Sequence, residues 1–142
     1  MHSRRIGERF LVKLQPGDEV ITSLRTWADE HGVGFALLSA IGALRRATLG
    51  YFDPAANGYR YLPVEEQVEV ASLSGNVSRG EDGEPVVHAH AVLGRSDGRT
   101  LGGHLVEGVV FPTLEVILSV LPQTVRRRRD PTTGLALWDL GA

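Results

Sequence analysis

The stretch His88-Ala-His-Ala-Val-Leu-Gly-Arg-Ser-Asp-Gly-Arg-Thr-Leu-Gly-Gly-His104 decides how this chain folds and what it can hold. It reads as two strands around a tight turn and gathers three of the chain's five histidines. His88 and His90 are two residues apart, so on a strand both side chains leave the same face. The position of His104 depends on the register. Ser96-Asp97-Gly98 suits a three-residue loop, a type I turn followed by a left-handed glycine that makes a bulge. That loop closes Arg95 on Arg99 and sets His90 opposite His104 and His88 opposite Val106. A two-residue Asp97-Gly98 turn would instead pair Ala91 with His104 and send that imidazole to the other face.

In the first register three imidazoles converge from rigid strands, a donor set that suits a divalent transition ion, zinc before others. Three protein ligands leave a fourth position for water or a small anion, as in catalytic zinc sites. The competing reading is three half-buried polar residues hydrogen-bonded to their neighbours, with no metal.

The 142-residue chain as a whole suits one soluble domain, with 42% hydrophobic and 23% charged residues. A formal net charge of −2 argues against a strongly basic, nonspecific nucleic-acid binder. With no cysteine, disulfides, thiolate zinc sites and cysteine nucleophiles are excluded. Phe10-Leu11-Val12 is too short for a signal-peptide core and no apolar run reaches membrane-spanning length, so a cytoplasmic protein is expected.

Ile6 to Leu14 predicts a first strand. Pro16-Gly17-Asp18 starts the one clear helix, with Asp18 as N-cap, an apolar face of Val20, Ile21, Leu24, Trp27 and Ala28, and Gly32 as the stop. His31 in its last turn has no functional role. Further strands are expected at Phe35–Ile41 and Leu44–Phe52 on either side of Gly42, then at Tyr59–Leu62 and Val68–Val77. Phe111-Pro112 breaks the chain after the histidine hairpin. Thr113–Leu121 follows as another strand, then Arg126–Arg129 and Leu135–Leu140 as a pair. The sum is an α+β domain, one main helix on a largely antiparallel sheet.

Leu73-Ser74-Gly75, His88-x-His90, Asp97-Gly98 followed by Gly102-Gly103-His104, and the Glu115-Val116 strand together resemble the plants-and-prokaryotes-conserved (PCC, or PPC) domain. The resemblance runs from about Ile6 to Leu140, within a single domain spanning residues 1–142. It implies about seven antiparallel strands with one helix, a homotrimer, and a stand-alone prokaryotic module described as DNA-binding or regulatory. In the prokaryotic pattern the histidine trio resembles a zinc site, which carries over onto His88, His90 and His104. The Arg-Gly-Arg-Pro AT-hook core of the plant relatives is absent. Their Gly-Arg-Phe-Glu-Ile-Leu segment corresponds to Glu66–Ala71, keeping Glu69 and losing the Gly-Arg.

Glu69 and Glu115 are the acid/base candidates if the chain is instead a small zinc-dependent hydrolase or lyase using a metal-bound water. Each serves equally well in a subunit-interface ion pair. Glu107 lies on the face away from the imidazoles and ranks below both. Arg126-Arg127-Arg128-Arg129 splits two and two across a strand, so it is not one continuous basic patch, though a phosphate contact is open to it. Gly102-Gly103 opens no helix and is not a phosphate loop. Small residues there let strands or subunits approach closely.

Overall fold

The structure, a computed structural model, describes residues 1–141. Among them one helix, α1 (Val20–Glu30), packs on a sheet of nine strands, two more than the resemblance implies. The strands are β1 (His2–Ile6), β2 (Arg9–Leu14), β3 (Phe35–Asp53), β4 (Gly58–Val64), β5 (Val68–Arg79), β6 (Pro85–Gly94), β7 (Thr100–Leu121), β8 (Arg126–Arg129) and β9 (Ala136–Asp139).

The count differs for local reasons. The expected first strand is a hairpin, β1 on β2, turned at Gly7 with its φ of +59°. The two strands expected around Gly42 are one long strand with a bulge. Gly42 has φ +147°, and a Cβ there would collide with the carbonyl of Thr113. Glycine thus kinks β3 at a close approach without ending it. Nor does Pro112 end β7. The β3–β7 ladder jumps from Gly42↔Leu114 to Leu44↔Val110, so Pro112 sits in a bulge where its missing N–H breaks no ladder bond.

The helix cap is also shifted from expectation. Glu19, not Asp18, caps α1, accepting from the amides of Ile21 at 3.1 Å and Thr22 at 2.7 Å. Its Oε1 also accepts from Gly108 N at 3.0 Å, tying the helix start to β7. Asp18 turns back instead and accepts from Gln15 N at 2.9 Å. Gly32, at φ +60°, ends the helix as the sequence implies. His31 caps its C-terminal end, with Nδ1 2.8 Å from Trp27 O and its ring stacked on Trp27 at 4.3 Å.

The apolar face of α1, Val20, Leu24, Trp27 and Ala28, is buried against alternate residues of the sheet, among them Leu44, Leu93, Leu105 and Leu114. Each such leucine contributes roughly 1.5–3 kcal/mol by leaving water. On β6 the alternation is clear: Val87, Ala89, Ala91 and Leu93 are buried, while His88, His90 and Val92 point the other way. Ladder pairs β3–β5, β5–β6, β6–β7 and β7–β3 close a ring of strands around this core. The registers align Leu11, Ile117, Ser39, Ser74, His90 and His104 in one cross-strand row on the outer face.

Candidate metal centre

The turn between β6 and β7 is the three-residue one. Arg95 N donates to Arg99 O at 2.8 Å, Gly98 N to Arg95 O at 2.9 Å, and Gly98 is left-handed at φ +81°. Asp97 accepts from Arg99 N at 3.0 Å and so holds the turn with its side chain. His90 accordingly pairs with His104. The expected partnership of His88 with Val106 does not form as a ladder pair, because the β6–β7 ladder ends at His90↔His104 and β7 continues on β3, with Gly50↔His104.

That divergence does not separate the rings. Ring centroids lie 5.2 Å apart for His88–His90, 5.2 Å for His88–His104 and 5.5 Å for His90–His104. One donor nitrogen from each lies within 4.8 Å of the others, close enough for one metal ion to be held. Two glycines make the convergence possible. A Cβ on Gly75 would collide with the carbonyl of His88 and come within 2.7 Å of Ala89 Cα, so only glycine lets β5 lie this close to β6. A Cβ on Gly103 would stand 2.9 Å from Gly50 O, so the residue before His104 is also pressed against β3.

The environment keeps two of the rings, His88 and His104, neutral. Burial, then the charges of Arg127, His104 and His90, lowers the pKa of His88 from 6.5 to about 4. Burial first, then His90 and Arg127, also lowers that of His104. Neutral imidazole is the form that binds a metal, so both are ready ligands at pH 7. Nδ1 of His104 is buried with no hydrogen-bond partner, the state of a nitrogen awaiting a ligand. The donor set therefore fits a divalent ion of the kind that imidazole favours.

Two neighbours of the trio escaped sequence reasoning. Tyr59 on β4 lays its ring 5.2 Å from that of His104. Arg127 on β8 is only 6% exposed, and its Nη2 stands 3.4 Å from Nδ1 of His88. No feature of a four-arginine run says which pair turns inward.

The two glutamates meet each other and not the histidines. Glu69 and Glu115 line a groove of about 450 Å3 with Ile41, Gly42, Val70, Ala71 and Thr113, a set that contains none of the three histidines. Glu115 is eleven residues along β7 from His104, which at about 3.3 Å per strand residue is over 30 Å of chain. Glu107 is exposed and accepts from Thr48 Oγ1 at 3.0 Å.

Residues 1–122 match the Plants and Prokaryotes Conserved (PCC) domain model. The chain belongs to that family. The fold is shared almost end to end with a PPC protein of Pyrococcus horikoshii, 34% identical at a TM-score of 0.87, with 99% of this chain and 95% of that one covered. A candidate DNA-binding protein of Bacteroides thetaiotaomicron is 28% identical at a TM-score of 0.92, covering 97% and 96%. A metal-containing protein of Archaeoglobus fulgidus is 36% identical at 0.84, covering 94% of each. Among curated proteins, the chain is 35% identical to part of a Synechococcus bifunctional protein GlmU over 88% of its own length. It is 34% identical over 66% of its length to part of the Arabidopsis thaliana AT-hook motif nuclear-localized protein 14. It spans only 19% and 22% of the lengths of these two proteins.

Proposed function

We propose that this PCC protein is a metal-holding binding module, with zinc carried by His88, His90 and His104. The convergence of three imidazoles, two of them held neutral, on one point of the outer face carries this reading. The metal-containing Archaeoglobus relative supports it. Zinc bound there would supply Lewis acidity and an open coordination position. His88 and His90 would hold it from one strand and His104 from the next, while the closely packed glycines keep all three in place.

The module reading outranks the hydrolase or lyase because a base is missing. The cavity beside the trio is lined by Tyr59, Val86, Val87, Leu135, Ala136, Leu137 and Arg127 together with His88 and His104, and none is a carboxylate. Glu69 and Glu115 lie in their own groove.

The outer face offers the route to assembly. Leu11, Leu37, Ile41 and Ile117 are 42%, 50%, 61% and 42% exposed on neighbouring strands, an apolar patch that asks for a partner. In our reading two further copies of the chain cover it, giving the homotrimer that the family resemblance implies. A light-scattering mass equal to one chain would remove that part. Association with DNA is proposed from the candidate DNA-binding relative and calls for salt-dependent binding. Anisotropy titration at low salt with no binding would remove it.

The deciding experiment is metal analysis of untagged protein, wild type beside His90→Ala. Near-stoichiometric zinc that disappears in the variant is the expected result. Metal-free wild type, after growth with zinc and purification without chelators, would overturn the proposal.

A further inference from the structure

Among the described residues, no carboxylate answers the positive charge of Arg127. Its side chain is buried, and its Nε donates to Ser78 Oγ at 2.7 Å, Nη1 to Ala136 O at 2.6 Å and Nη2 to Asn76 Oδ1 at 3.0 Å. Nη2 also stands 3.4 Å from His88 Nδ1, and the guanidinium lies 5.9 Å from the centroid of Trp138. Every one of these partners is neutral. Among the described residues the arginine ion pairs involve Arg60, Arg79, Arg95, Arg99 and Arg128, and none involves Arg127.

A buried cation without a counter-charge is costly, so an anion that reaches it gains a pairing that the fold leaves out. Arg127 also faces open space. It lines a cavity of about 250 Å3 together with Tyr59, His88, His104, Val86 and the stretch 135–137 at the start of β9. A guanidinium has five N–H groups, and the four contacts above leave one on Nη1 unused.

We propose that the Arg127 cavity is a binding site for a small organic monocarboxylate, its anionic end on the guanidinium and its apolar body against Val86, Leu135, Leu137 and the Tyr59 ring. The volume lies below the roughly 300–1,000 Å3 of sites for drug-sized ligands, so the ligand is short. One free N–H and one charge match a carboxylate. A phosphate dianion would need the several donors of a glycine loop or helix N-terminus, which this cavity lacks. Arg127 lies beyond the residues matched by the family model, which end at 122. The inference does not rest on the metal reading, since the charge and the cavity belong to the chain alone.

The test is titration of the full chain, freed of metal by dialysis, with butyrate, benzoate and inorganic phosphate, followed by calorimetry and by NMR of the Tyr59 ring and the Val86 and Leu137 methyls. Saturable binding of butyrate or benzoate with shifts confined to those groups is expected, with phosphate at least tenfold weaker. Arg127→Gln should weaken carboxylate binding at least tenfold. Val86→Glu guards against a folding defect, because Val86 is only partly buried and pairs with Ser78, the acceptor of Arg127 Nε, so a glutamate there supplies the missing anion from within. It should abolish carboxylate binding while leaving the melting temperature equal or higher. Phosphate binding as tightly as the carboxylates, no saturable binding in wild type, or unchanged affinity in Val86→Glu would each overturn the proposal. Because the protein is metal-free throughout, failure here leaves the zinc reading to its own experiment.

Discussion

The β6–β7 and β8–β9 hairpins meet at one point, where His88 touches Arg127, yet they are built on opposite logics. In the first, the backbone is forced close by glycine and the side chains converge on one point. In the second, the backbone pairing is short, and one side chain does the anchoring. The Arg127 side chain ties β8 to Ser78 and Asn76 of β5 and adds a bond to Ala136 of β9. The β5–β8 ladder itself is a single pair, Arg79↔Arg126. A site made by close backbones should fail when any atom is added to the backbone. A site anchored by one side chain should fail when that side chain is shortened.

The largest effect is expected at Gly75. Gly75→Ala places a methyl against the His88 carbonyl and Ala89 Cα, rigid backbone that cannot move aside. A cost of about 3 kcal/mol is expected, at the upper end of ordinary overpacking, with metal retention lost along with it. Gly102→Ala is the control, because a Cβ there meets its nearest atom, Ala91 O, at an ordinary 3.6 Å. It should cost under about 0.5 kcal/mol. Urea denaturation of both variants checks the contrast. Equal costs would mean that close packing at Gly75 is not what sets the β5–β6 spacing.

Next in size is the arginine pair. Arg127→Ala removes three hydrogen bonds and leaves Ser78, itself fully buried, without its partner, for a loss of about 2–3 kcal/mol. Arg128→Ala removes an exposed ion pair with Asp139 and should cost under about 1 kcal/mol. Thermal melts of the two side by side decide it. If they are alike, the arginine hairpin is not anchored by Arg127.

The same contrast explains what could be read from the sequence. The histidine site was legible because two independent signals agreed: H-x-H spacing gave a shared face, and Ser96-Asp97-Gly98 gave the register. The arginine hairpin was legible as strand, turn and strand. Its inward residue was not, because alternation says only that Arg127 and Arg129 oppose Arg126 and Arg128. The absolute choice is made by β5, from which Ser78 and Asn76 reach across some fifty residues of chain. Glu69 and Glu115 fell to the same limit. Both lie on strands of the same sheet, but distance along a 22-residue strand such as β7 separates Glu115 from His104. The breaks expected at Gly42 and Pro112 failed for a related reason. Both residues are strand breakers in isolation, and here they lie on facing stretches of β3 and β7, each accommodated by the other's bulge.

The smallest effect joins the two hairpins and concerns acid. In metal-free protein His88 has a folded pKa of about 4 against 6.5 in the unfolded chain. Between those values the unfolded chain binds the extra proton. The stability that neutral His88 represents is thus present above pH 6.5 and is lost as pH falls toward 4. His104 is shifted in the same direction and adds to the slope. Since His88 is only half-buried, solvent screening reduces its share to about 1–2 kcal/mol. Denaturant melts of metal-free protein from pH 7.5 to 4 should show this loss, and His88→Gln should flatten it. Bound metal should oppose the loss at the upper end of the window, because protons must displace the ion before the ring can charge. After burial, the charge of Arg127 is the largest cause of the His88 shift. Replacing it with glutamine should raise the His88 pKa, read from its ring-carbon resonance, and narrow the window from its acid side. An unmoved resonance would show that burial alone holds His88 neutral and that the two hairpins touch without electrostatic consequence.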